Sequence, residues 1–256
     1  MSWKNVEIER RGTVAIVTMD RHEKLNAFNP TLMREMTEVG LSFHDDRDIH
    51  AVVLRGNDNY FSSGADLTDA DMWRTEGLSE LDIRDRFRMG GRLCEAWEKM
   101  PQITVAAMEK MAVGAGFALP LALDWRVLGR SAFLYVPEIK ICVNLQWGAQ
   151  PRLTRLVGPA RAKRIIILCE KMGAAQALDW GLVDEVADDG KTAERALELA
   201  ETAASMPPTA VRMVKEAVNA TANALNQVSS YADFDQSWLG ANLSAAQQAR
   251  ESFSKK

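Results

Sequence analysis

Cysteine is scarce in this 256-residue chain: Cys94, Cys142 and Cys169 are all there is. An odd count without paired spacing argues against a disulfide framework and against a zinc site. A reducing compartment, by default the cytoplasm, is expected. Long apolar runs are missing too. No stretch of about 18 apolar residues suggests a membrane span. The opening Met-Ser-Trp-Lys-Asn-Val-Glu-Ile-Glu-Arg-Arg has no apolar run of signal-peptide type. Basic blocks are absent: the net charge is -4 and the lysines and arginines are dispersed. That pattern gives no reason to expect nucleic acid or a membrane as partner. Histidine is rare, and His22, His44 and His50 fall in loop or polar positions, where surface roles are expected.

What is present is apolar mass. Hydrophobic residues make up 47% of the chain, enough for one large domain, or one domain with a short helical tail. Val6 and Ile8 alternate with Glu7 and Glu9, Gly12 marks a turn, and residues 13–19 form an apolar strand. Pro30 suits a helix start, with Leu32, Met33, Met36 and Val39 as its apolar stripe. Residues 50–55 and 103–108 read as buried strands, and 125–128 as another. The stretch 56–59 is turn chemistry. Residues 68–80 are polar and irregular, a surface segment, and 81–100 is helical. A helix over 152–170 is broken at Gly158-Pro159, and beyond Val186 the chain is nearly all helix (191–205, 208–226 and the C-terminal stretch). Met206 and Met213, at helical spacing, are expected in the core. The alternation predicts an α/β core followed by a helical C-terminal part.

Three segments suggest one site. Phe61-Ser-Ser-Gly-Ala-Asp-Leu67 and Gly114-Ala-Gly116 are small-residue turns that let a ligand approach the backbone. The second enters an apolar helix, so its amides carry partial positive charge. One N–H from each turn could share a carbonyl oxygen as an oxyanion hole; either turn alone could equally be ordinary tight packing. The third segment is Tyr135-Val-Pro-Glu138-Ile-Lys-Ile141. A carboxylate in apolar surroundings has its charged form disfavoured and its pKa raised, which suits a proton shuttle near neutral pH. A surface glutamate paired with Lys140 or an arginine is the alternative.

These segments fall in a wider pattern. Residues 21–27 (Arg-His-Glu-Lys-Leu-Asn-Ala), 61–67, 114–124, Phe133 with Pro137-Glu138-Ile139, 149–158 and 175–184 resemble, in order, six motifs of the enoyl-CoA hydratase/isomerase (crotonase) family. The resemblance covers nearly the whole chain. It implies a spiral of ββα units over residues 1–190, carrying an acyl-CoA site, and a C-terminal helical trimerisation region over 191–256. A CoA thioester would be the substrate, with no separate cofactor and no metal, in a homotrimer or a dimer of trimers. The resemblance places catalysis at Glu138 and the oxyanion amides at Ala65 and Ala115. It places CoA or substrate contacts at Lys24, Leu25, Ala27, Ser63, Asp66, Leu67 and Trp147.

Departures from the pattern bear on the reaction. Family hydratases hold water between two glutamates; one matches Glu138, but the other falls at Ala118, which has no acid or base. A single carboxylate fits the family's isomerases better, moving a proton from C2 to C4 of a 3-enoyl thioester. Two other readings stand beside it: an atypical hydratase, decarboxylase or hydrolase, and a weakly catalytic acyl-CoA-binding protein. Ala115 replaces a glycine, with strain of about 1–2 kcal/mol if that position needs positive φ. Met108-Glu-Lys110 replaces an asparagine-glycine turn, and Cys142 stands where glycine is usual. Gln146 and Trp147 replace small residues, so Trp147 would narrow the acyl pocket or simply pack the core. The ending, residues 251–256, is shorter than the family tail.

Overall fold

The computed structural model describes residues 3–57, 60–243, 245, 246, 248, 249 and 252. Most of the expected ending at 251–256, and half of the turn at 56–59, lie outside the described residues.

A six-stranded sheet forms the frame, in the order β1 (Val6–Arg11), β2 (Val14–Met19), β3 (Ala51–Gly56), β4 (Ile103–Met108), β6 (Trp125–Gly129), β9 (Glu185–Ala187). Only β1 and β2 pair antiparallel. β2 and β4 are buried at every position. That accounts for their unbroken apolar runs: a parallel strand covered on both faces need not alternate. Helix α1 (Pro30–Ser42) starts where proline predicted, with Asn29 Oδ1 accepting from the Leu32 amide as its N-cap. α1 and α4 (Met89–Glu98) cover one face, with Trp97 Nε1 donating to the Met36 carbonyl. On the other face α8 (Thr192–Ala204) buries Ala196, Ala200 and Ala204 against β3 and β4. The core therefore continues past residue 190.

A second sheet lies beside the first: β5 (Met111–Val113), β7 (Phe133–Tyr135) and β8 (Met172–Gly173). β4 and β6 each hand the chain to this small sheet before the next helix, which is the recurring ββα step. Its partners are extended by single bridges, Ser62 to Ala112 and Phe28 to Ala65. Strands this short carry too few residues to show a period, and β7 and β8 were not legible in the sequence.

The helices differ from expectation in detail. The 68–80 segment contains a short helix, α2 (Ala70–Trp73), and the 81–100 helix is two, α3 (Glu80–Phe87) and α4, meeting at Arg88. α5 (Ala115–Ala118) passes into a 3-10 turn at Pro120. α6 (Ala149–Leu168) is kinked at Gly158, φ 77°, as Gly158-Pro159 implied. After α7 (Ala174–Asp179) and α8, the C-terminal part divides into α9 (Pro208–Ala222), α10 (Asn226–Ser230) and α11 (Asp233–Ala241). Buried Lys215 pins α9 to the sheet end, its Nζ 2.7 Å from Asp124 Oδ2. Met206 and Met213 are about half and two-thirds exposed. This corrects the expectation of core positions: helical spacing fixes which residues share a face, not whether anything covers it.

Candidate active site

The small sheet brings the two turns together. Ser62 N donates to the Met111 carbonyl and Val113 N to the Ser62 carbonyl, so the 60s strand runs beside β5. Both strands end in a glycine with positive φ, Gly64 (102°) and Gly114 (53°). Contact is close enough that a Cβ on Gly64 would lie 2.8 Å from the Val113 carbonyl oxygen. Gly114 takes the backbone turn that only glycine makes without cost, so Ala115 starts α5 in ordinary helical geometry. The strain considered for Ala115 is absent for that reason.

Ala65 and Ala115, one from each turn, line the same cavity. Phe28 bridges to the Gly64 carbonyl and the Asp66 amide, which leaves the Ala65 N–H directed to the other side. Ala115 is the first residue of α5, and a helix's first amides have no partner within the helix.

Glu138 lines the same cavity. It follows β7 and opens a 3-10 turn, Glu138–Ile141. A Cβ on Gly114 would lie only 2.8 Å from Glu138 Oε1, so the carboxyl rests on the glycine just before the Ala115 amide. Glu138 Oε2 is buried without a hydrogen-bond partner. Burial pushes the carboxyl up from 4.5 to about 7, opposed only by its own backbone amide. The Lys140 pairing offered as an alternative does not form: Lys140 Nζ donates to Tyr135 Oη at 2.9 Å.

These groups line one cavity of about 120 Å³. Of the residues anticipated from sequence, Ser63, Ala65, Leu67, Ala115, Glu138 and Trp147 line it. Ala118 lines it too, and Glu138 is the only carboxylate among the described lining residues. Lys24, Leu25, Ala27 and Asp66 do not. Lys24 and Leu25 lie behind the turn, where the Leu25 carbonyl accepts from Ser63 N. Ala27 and Asp66 are buried, and Asp66 is engaged with Arg21 (2.8 Å) and Thr68. Asp66 therefore fastens the 21–28 loop to the 61–67 turn rather than offering a free carboxylate. His22, His44 and His50 are all outside the cavity.

Sequence reading passed over several lining residues. Met72 and Trp73 come from the segment read as irregular surface, and Asn144 was not singled out. Asn144 had a signal, as a polar residue between Val143 and Leu145. Ser237 Oγ donates to its Oδ1 at 2.7 Å, and its Nδ2 donates to Gln236 Oε1 at 3.1 Å. Both partners are on α11, so that helix orients a cavity residue.

The cavity thus brings residues of both small-residue turns together with one buried carboxyl. Residues 9–256 match the family model for enoyl-CoA hydratase/isomerase. A probable enoyl-CoA hydratase of Rhizobium meliloti is 36% identical over 80% of this chain and 77% of its own length. A short-chain-enoyl-CoA hydratase of Clostridium acetobutylicum is 30% identical over 78% of this chain and 75% of its own. Among solved structures, an enoyl-CoA hydratase of Mycobacterium avium subsp. paratuberculosis has the same fold, with a TM-score of 0.88 at 23% identity, over 99% of this chain and 97% of that one.

Proposed function

Because the chain belongs to the enoyl-CoA hydratase/isomerase family, we propose that it is the isomerase variant of that chemistry, acting on a 3-enoyl-CoA with Glu138 as sole acid and base. The observation that carries this reading is the pairing of Glu138 with Ala118 in one cavity. Ionised Glu138 removes a proton from C2. The electron pair moves toward the thioester carbonyl, whose oxygen takes the charge between the Ala65 and Ala115 amides. Donors of this kind contribute about 3–4 kcal/mol each in the transition state. Protonated Glu138 then returns the proton at C4, leaving the 2-enoyl ester. A pKa near 7 suits both halves, since the same group must accept and give the proton.

Lys24 and Leu25, exposed beside Ser63, would face the CoA portion. The exposed apolar side chains of α9 to α11, among them Val218, Leu225 and Tyr231, support assembly into a trimer. Among the described residues no helix is long and apolar enough to cross a membrane, in keeping with action on a dissolved thioester.

Hydration is the second reading, favoured by the hydratase names of the relatives. Against it, water held by one carboxylate is poorly positioned for attack. The deciding experiment supplies purified protein with a 3-enoyl-CoA and, separately, with crotonyl-CoA. Conversion of the first to its 2-enoyl isomer, with slow or no hydration of the second, is expected. Rapid hydration of crotonyl-CoA would overturn the isomerase reading.

A further inference from the structure

Behind the acyl cavity lies a second, larger one of about 540 Å³, bounded by α3, α4, α10 and the start of α11. Trp147 and Gln146 line both. Trp147 is thus a wall between two spaces, and it is a braced wall. Its ring meets Phe28 edge-on at 5.5 Å between centroids. On another side the indole fills the place of a side chain at position 90: a Cβ on Gly90 would lie 1.8 Å from Trp147 Cε2.

The backbone beneath is held in an unfavourable conformation. Trp147 has φ 65° and Gly148 φ 66°, and a bulky residue at positive φ persists only where its surroundings over-determine it. Two buried groups supply that. Arg152 Nη1 donates to the Trp147 carbonyl at 2.8 Å, and Arg152 is itself locked by two bonds to Glu98. The Gly148 amide donates to Asp233 Oδ2 at 2.9 Å.

We infer that Trp147 sets the acyl-chain length this protein accepts, closing a short acyl cavity against the larger space behind it. The inference rests on reading the first cavity as the acyl site, and it holds whether the bound ester is isomerised or hydrated. Chains that fit ahead of the indole gain affinity with each methylene buried; longer ones meet the ring. With the ring removed, the two cavities join and the alkyl tail can pass through.

The test uses saturated esters, which have no double bond to shift or hydrate, so binding is read apart from turnover. Butyryl-, hexanoyl-, decanoyl- and dodecanoyl-CoA are titrated calorimetrically into wild type, Trp147→Gly and Trp147→Phe. Glycine suits the positive φ, so Trp147→Gly opens the wall without backbone strain. In wild type, affinity should rise from butyryl to hexanoyl and fall by decanoyl. Trp147→Gly should raise the decanoyl-to-butyryl affinity ratio at least about tenfold, the equivalent of roughly two buried methylenes. Trp147→Phe should move the ratio the same way by less. If Trp147→Gly does not fold, Trp147→Phe decides alone. Normal butyryl-CoA binding with an unchanged ratio in the folded variants overturns the inference and leaves the acyl-CoA reading standing. Wild type binding decanoyl-CoA as tightly as hexanoyl-CoA also overturns it. Wild type binding no ester of any length defeats the acyl-CoA reading, and the inference with it.

Discussion

Glu138 combines three properties that are separately ordinary: an apolar setting, one oxygen without a partner, and a position over the glycine that precedes a free helix amide. Replacing it with glutamine keeps the shape and removes the proton transfer. Turnover of a 3-enoyl-CoA should fall about 10²–10⁴-fold, with binding of the saturated ester nearly unchanged. A variant with wild-type turnover would remove Glu138 from the mechanism. Because the base must be ionised to begin the reaction, kcat/KM should climb as pH rises through about 7 and then level off. A profile flat from pH 5 to 8 would show that some other group starts it.

The same burial makes a stability prediction with a definite sign. Below about pH 4.5 the carboxyl is neutral in both folded and unfolded chains, and nothing is lost. Between 4.5 and 7 the unfolded chain releases the proton while the folded chain keeps it, so stability falls as pH rises, and above 7 the whole cost stands. Glu138→Gln should therefore be more stable than wild type near pH 8, by at most about 3 kcal/mol. The gain should vanish at pH 4.5. Urea unfolding at the two pH values checks it, and an equal effect at both would mean the carboxylate is not desolvated.

At the scale of elements, two of the sequence's departures from the family pattern fall at turns with left-handed backbone. Lys110 (φ 54°) and Cys142 (φ 59°) both stand where the pattern has glycine, and both keep the glycine-like conformation. The fold holds its turn and the side chain bears the strain. Cys142→Gly should raise stability by about 1 kcal/mol, a rise of a few degrees in melting temperature, provided the half-buried thiol contributes little packing. No change would mean that thiol packing offsets the strain. Lys110 is compensated differently, its Nζ resting 4.4 Å over the Tyr60 ring. Strand identity was legible where apolar residues dominated a run of six, as in β2, β3 and β4. β7 and β8 were not, being too short for a pattern. α3 and α4 were read as one helix although Gly90 and Gly91, just past Arg88, are poor helix formers that mark the break.

For the whole molecule, the segment from α9 to α11 exposes several large apolar side chains, Val214, Val218, Leu225, Val228 and Tyr231 among them. Light scattering at micromolar concentration should give three times the mass of one chain. Val218→Lys, at a position 58% exposed, should shift the protein toward smaller species without unfolding it. A monomeric wild type would contradict the trimer. By itself, the sequence determined the α/β class and the order of the long elements, because hydrophobic period is local; the two small-residue turns and Glu138 it offered as candidates, picked out by the family resemblance. Only the tertiary structure decided what Glu138 became. Its raised pKa needs burial by residues distant in the chain, and its place over Gly114 needs β5 and β7 to pair. The contacts of Asp66 with Arg21 and Thr68, and the position of Trp147 on the lining of both cavities, are visible only there, since each depends on partners that sequence spacing does not bring together.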